Sequence, residues 1–240
     1  MAFLRPIILF AFIVALIPSC MAQQPDDNQL LFTISVAPPT KAKDVQVRYS
    51  YSGDFGNHES SIASPTDDNQ IVIKTGVDGK TAKSFRLVAY VPGCQFVTIS
   101  VDDLSATRQG QFQCTALNTV QFNGHIDLSS VGQKSLTVRA LYVCDWCPQF
   151  LGMNGGAISP FVLDKTGVAS DGTFLFDLPN FAADPLWSSL SSRAWLSFTT
   201  LDANTGEPFS ALQSRGAGAA KTGEVPVAPL YSALEFQLQR

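Results

Sequence analysis

Apolar and polar residues alternate with a period of two along most of this 240-residue chain, and almost nowhere with the spacing of a helix. Val45-Gln46-Val47-Arg48-Tyr49-Ser50-Tyr51 sets its apolar side chains on one face; Phe85, Leu87, Ala89 and Val91 repeat the pattern, as do Val120, Phe122, Ile126 and Leu128. Leu136-Val138-Ala140-Tyr142, Phe174-Phe176-Leu178 and Leu234-Phe236-Leu238 continue it. A strand with this period buries one face only, and Gly, Pro, Asp and Asn break the runs at short intervals. The expected fold is therefore all-β, an antiparallel β-sandwich. The one helical start is Asp184-Pro185-Leu186-Trp187, an acidic N-cap with proline at the first helical position.

The strand-like runs form two sets. The first closes at Thr115-Ala116-Leu117-Asn118, and Val120 opens the second. The expected organisation is a signal peptide at 1–22, a disordered linker at 23–29, and tandem β-sandwich domains at 30–117 and 118–240.

The leader assignment rests on Arg5 followed by the uncharged run from Ile7 to Ile17, which is too short to span a bilayer comfortably. Two processing routes fit its end. Cys20 and Ala22 are small residues at the positions a signal peptidase reads before Gln23, whereas Ile17-Pro18-Ser19-Cys20 resembles a lipobox that would place a lipid on Cys20. Either route exports the protein to the periplasm, cell surface or medium; only the second tethers it to a membrane.

Of the five cysteines, setting Cys20 aside leaves Cys94, Cys114, Cys144 and Cys147, an even set that an oxidising compartment favours pairing. Four cysteines allow three connectivities, and the sequence does not choose among them. The pairing expected is Cys94 with Cys114 and Cys144 with Cys147. A hairpin centred at Leu104 would set Cys94 opposite Cys114 and Phe96 opposite Phe112, but the same register sets Val97 against Gln111 and Ile99 against Gln109, which needs a bulge.

Cys144-Asp145-Trp146-Cys147 admits three readings. Thiol exchange needs a cysteine activated at a helix N-terminus within βαβ surroundings, which the flanking strands do not supply. Zinc needs four ligands, and beyond this pair the chain offers two distant cysteines and the lone histidines His58 and His125. A structural disulfide in a turn, with Asp145 and Trp146 exposed at its tip, is the expected reading.

Other chemistry is sparse. No Gly-x-Ser-x-Gly elbow occurs, His58 and His125 lack local partners, and no catalytic residue is assigned. Gly216-Ala217-Gly218-Ala219-Ala220-Lys221-Thr222 lacks the glycines of a phosphate-binding loop, and Asp202-Ala203-Asn204-Thr205-Gly206-Glu207 is too short for an EF-hand and reads as a hairpin turn. The net charge of −4 with no basic stripe argues against nucleic acid as a partner. No metal or cofactor is expected. Trp146, Trp187 and Trp195 are candidates for a sugar-stacking platform.

A family resemblance rests on Asp171-Gly172-Thr173-Phe174-Leu175-Phe176-Asp177-Leu178-Pro179, together with strands like Val120-Gln121-Phe122-Asn123-Gly124-His125-Ile126 and Leu136-Thr137-Val138-Arg139-Ala140. This pattern resembles the carboxypeptidase regulatory-like and Cna B-type group of transthyretin-like or immunoglobulin-like sandwiches. It covers the second half well and the first loosely. The resemblance implies a non-catalytic spacer, folding aid or binding module on an exported protein, with an unknown protein or polysaccharide of the cell envelope as partner. Some such domains carry a Lys–Asn isopeptide bond, but the run from Val120 to Leu128 has no lysine and Leu234 to Leu238 has no asparagine. No such bond is expected in the second half. The alternatives are a carbohydrate-binding module using the tryptophans and a thiol-disulfide oxidoreductase at Cys144 and Cys147.

Overall fold

A computed structural model describes residues 30–54, 56–60, 64–67, 69–74, 81–130, 135–153, 158–180, 195–214, 224–226 and 234–238. The leader and linker at 1–29, the helical start at 184–187 and the glycine-rich segment at 216–222 lie outside the described residues.

The chain is all-β. Its first eight strands are β1 (Leu30–Val36), β2 (Gln46–Gly53), β3 (Gly56–Ser60), β4 (Ser64–Asp67), β5 (Gln70–Lys74), β6 (Ala82–Tyr90), β7 (Val97–Val101) and β8 (Gln109–Phe112). They form two sheets, ordered β4-β5-β1-β8 and β3-β2-β6-β7. The alternating apolar residues meet between these sheets: Phe32, Ile34, Ile71 and Phe112 face Val47, Tyr49, Phe85 and Leu87, and the rings of Phe32 and Phe85 stack at 4.3 Å.

The later elements are β9 (Thr119–Ile126), β10 (Leu136–Val143), the single helical turn α1 (Cys147–Phe150), β11 (Phe161–Gly167), β12 (Thr173–Pro179), β13 (Trp195–Asp202), β14 (Pro208–Ser214), β15 (Glu224–Pro226) and β16 (Leu234–Leu238). One eight-stranded sheet takes up all of these strands, in the order β11-β10-β13-β14-β16-β9-β12 with β15 branching from β13. The sheet folds over on itself. Phe122 and Phe176 from one side meet Phe198 from the other at 6.1 and 6.0 Å, and the two end strands approach until the Asp177 N–H donates to Asp164 Oδ2 at 2.9 Å.

Among the described residues no strand of 30–112 joins a sheet of 119–238, yet the two groups repeat one plan. The order β5-β1-β8 opposite β3-β2-β6-β7 corresponds strand for strand to β12-β9-β16 and β11-β10-β13-β14, with β4 and β15 as additions. In each group the first strand pairs with the last in parallel, β1 with β8 and β9 with β16. These pairings depart from the purely antiparallel expectation. Alternation reports which face of a strand is buried and carries nothing about the direction of its neighbour.

The hairpin expected about Leu104 does not form. β7 pairs with β6 and β8 with β1, in opposite sheets, and Cys94 bridges Ala116 instead. The poor match of Val97 and Ile99 with glutamines has its explanation here, because those residues never face one another. The Asp202–Glu207 segment does form a turn, joining β13 to β14; the Asp202 carboxylate accepts from the amides of Asn204 and Thr205, and Gly206 takes φ +73°.

Two glycines set the β9/β12 pairing. Gly124 lies opposite Phe174, whose ring covers the glycine so closely that an added Cβ would fall 2.1 Å from it. Gly172, at φ +88°, carries the turn into β12, and a Cβ there would sit 2.2 Å from the Ile126 carbonyl oxygen. Both the left-handed backbone and the backbone clash act against Gly172→Ala, which is expected to lose more than about 2 kcal/mol in urea unfolding.

Candidate functional site: the junction of the two sandwich units

The outward face of the β2 and β6 sheet is not left to solvent. Along β6 the inward residues Phe85, Leu87 and Ala89 fill the first core, while the outward Val88 and Tyr90 are fully buried in the second. Phe96, just before β7, is the centre of the seam. Its ring lies 4.8 Å from Tyr90, 5.1 Å from Phe161, 5.6 Å from Tyr142 and 5.8 Å from Trp146. Leu117, expected to close the first unit, serves both: its amide donates to Gly93 O of the first unit and its side chain packs into the second core.

Beside this aromatic seam, alternate residues of β2 reach across to backbone. The Gln46 side-chain amide donates to Val162 O at 2.8 Å and accepts from the Val162 N–H at 2.7 Å, occupying the free edge of β11 as a neighbouring strand would. Arg48 donates to Ser159 O and Pro160 O, each at 2.8 Å, with its guanidinium carbon 4.7 Å above the Phe161 ring. Burial lowers the pKa of that guanidinium, which stays charged at neutral pH. Ser50, itself buried, donates to Leu151 O at 2.6 Å.

Cys144-Asp145-Trp146-Cys147 supplies the other side of this junction. Tyr142 lies at the end of β10, the buried Cys144 follows the strand, and its disulfide to the fully buried Cys147 turns the chain into α1. Pro148 suits the first turn of a helix because the missing N–H there has no partner to lose. The Leu151 amide donates to Cys147 O at 2.8 Å, which sets Leu151 O in position for Ser50. Trp146 was expected exposed at the tip and is half-buried: its indole N–H donates to the Tyr142 hydroxyl at 3.2 Å and its ring meets Phe96 and Phe150 edge to face. Asp145 alone is exposed there. The tryptophan is drawn in because the first unit brings Phe96 to it, a contact between residues far apart in the chain.

The second disulfide, Cys94–Cys114, has Cα atoms 5.2 Å apart and ties the loop after β6 to the chain leaving β8. It thereby anchors the segment that carries Phe96. Neither Cys144 nor Cys147 presents the accessible sulfur that thiol exchange requires, at 4 % and 0 % exposure.

Burial raises the phenol pKa of both seam tyrosines. For Tyr90 the nearby Gly93 backbone offsets part of the effect and Asp164 adds to it; for Tyr142 the Trp146 hydrogen bond offsets part and Asp145 adds. The folded state thus holds these protons more tightly than the unfolded chain. Their contribution to stability is full below the ordinary phenol value of 10.0 and declines as pH rises above it. Alkaline titration followed by phenolate absorbance and circular dichroism together is expected to show Tyr90 and Tyr142 ionising only as the fold is lost.

His125 is exposed on β9, with Nε2 3.0 Å from the carbonyl oxygen of Asp171; His58 lies on β3. Trp195 begins β13, its backbone registered with Val143 and Pro226, and Trp187 and Cys20 lie outside the described residues. Among the described residues no three metal-ligating side chains cluster, and no helix is long and apolar enough to cross a membrane.

No family model matches the chain, and no curated protein matches it. Among solved structures it is similar to a shaft pilin, SpaA, from Lactobacillus rhamnosus GG, at 7 % identity over 89 % of this chain and 98 % of that one, with a TM-score of 0.23. It is also similar to a Streptococcal ancillary pilin, at 9 % identity over 90 % of this chain and 64 % of that one, with a TM-score of 0.20. Likenesses this slight place the chain in no family.

Proposed function

We propose that the protein is an exported, non-catalytic structural module in which two β-sandwich units are held at a fixed angle, a rigid spacer at the cell surface or in the periplasm. The observation that supports this reading is the junction. A flexible tether between sandwiches would leave polar outward faces; here Val88, Tyr90 and Phe96 of one unit complete the core of the other, and Gln46, Arg48 and Ser50 bond to its backbone. Such an interface resists bending because every mode of separation exposes aromatic surface and strips backbone groups of their partners. Two disulfides beside the seam fit an oxidising compartment.

The test is the intact mass of the full chain expressed in an exporting bacterial host, with thiols alkylated before reduction, in soluble and membrane fractions. Exported, processed protein that takes up no alkylating agent supports the reading, and a lipid increment on Cys20 would add a membrane anchor to it. Unprocessed cytoplasmic protein with alkylated cysteines would contradict it.

A further inference from the structure

A pocket of about 210 Å³ opens beside the Ser50–Leu151 hydrogen bond. Its floor is the outward face of β2 and β6, presenting Ser50, Ser52, Ser84 and Arg86, and its wall is Leu151 and Gly152 of the other unit. The site is therefore whole only when the two units are docked.

The lining chemistry narrows what it can hold. Ser52 and Ser84 meet hydroxyl to hydroxyl, an arrangement that uses one of their two protons and leaves the other for a ligand. Ser50 spends its proton on Leu151 O, so its oxygen remains an acceptor. The Arg86 guanidinium donates to Ser100 Oγ at 2.7 Å and to Asp102 Oδ1 at 3.1 Å, so its charge is already countered while other N–H groups of its fork remain. None of the described residues lining the pocket is a carboxylate, which disfavours a cation, and the Asp102 partner weakens the pull on an anion. Hydroxyls that both donate and accept suit a neutral ligand whose own hydroxyls do the same. The volume is below the roughly 300 Å³ at which pockets for drug-sized ligands begin, which limits the occupant to one small ring. Gly152, at φ +73° with open space where a Cβ would stand, leaves the mouth clear.

We propose that this junction pocket binds a single neutral sugar residue, through the Ser52–Ser84 hydroxyl pair and Arg86. Because both units form its walls, an occupying sugar stabilises the docked arrangement and raises the melting temperature.

The experiment is an amide NMR titration of the full chain with glucose, galactose and N-acetylglucosamine in turn, with sodium sulfate as the anionic comparison. At least one sugar is expected to give saturable shifts confined to residues 50–52, 84–86 and 151–152. The S52A/S84A double variant removes both partners of a hydrogen bond, so it keeps the parent spectrum and is expected to bind at least about tenfold more weakly. Three results would each overturn the proposal: no saturable shift with any of the three sugars, undiminished affinity in the double variant, or saturation of the same amides by sulfate.

Discussion

Phe96→Ala is expected to lose about 3 kcal/mol and to split unfolding into two transitions where the parent shows one. The ring touches Tyr90, Tyr142, Trp146 and Phe161 together, so its removal leaves a cavity shared by both units instead of one inside either. Large aromatic-to-alanine changes in a core cost about 3–5 kcal/mol, and the half-buried position of Phe96 puts it at the lower end. Most of that loss falls on the coupling between units. Fluorescence of the half-buried Trp146 beside the seam and circular dichroism of both sandwiches, followed in urea, separate the outcomes. A single transition merely shifted to lower urea would show that Gln46, Arg48 and Ser50 hold the junction without the ring.

The C94A/C114A double variant is expected to lose a comparable amount. Its disulfide closes a loop of sequence separation 20, for which loop-closure entropy gives about 3 kcal/mol, against about 2 kcal/mol for the separation of 3 between Cys144 and Cys147. The ranking is the sharper expectation. Removing Cys144–Cys147 costs less in unfolded-chain entropy, but it frees the turn that offers Leu151 O to Ser50 and Trp146 to Phe96. C144A/C147A should therefore broaden the seam resonances while leaving the first core intact, and C94A/C114A should lower the denaturation midpoint of the whole chain. Equal midpoints for the two variants would mean that local packing at α1, and not loop closure, governs their stability.

Much of the fold was legible in the sequence because burial on one face of a strand writes itself at period two. The runs at 45–51, 136–142, 174–178 and 234–238 all lie within strands or overlap them closely. The Asp171-Gly172 turn into β12 and the Asp202 turn into β14 were legible for a similar reason, since each depends on residues within a few positions. The junction was not. Gln46, Arg48 and Ser50 look like any solvated face of a strand, and their partners at Val162, Ser159, Pro160 and Leu151 lie more than 100 residues away. One signal did exist: Leu87-Val88-Ala89-Tyr90 is a continuous apolar run, the mark of a strand buried on both faces, and reading it only as alternation hid the outward pair. The misplaced hairpin about Leu104 has a different cause. Strands adjacent in sequence usually pair, but β7 and β8 belong to opposite layers of a sandwich, and nothing local tells a hairpin from a crossing between layers.

The two sandwiches are expected to move as one body. Backbone ¹⁵N relaxation measured on residues of both units tests it most directly, because tumbling time scales with the size of the body that rotates. One rotational diffusion tensor is expected to fit amides of residues 30–112 and 119–180 alike, with the correlation time of the whole chain. Separate, shorter correlation times for the two groups would contradict it.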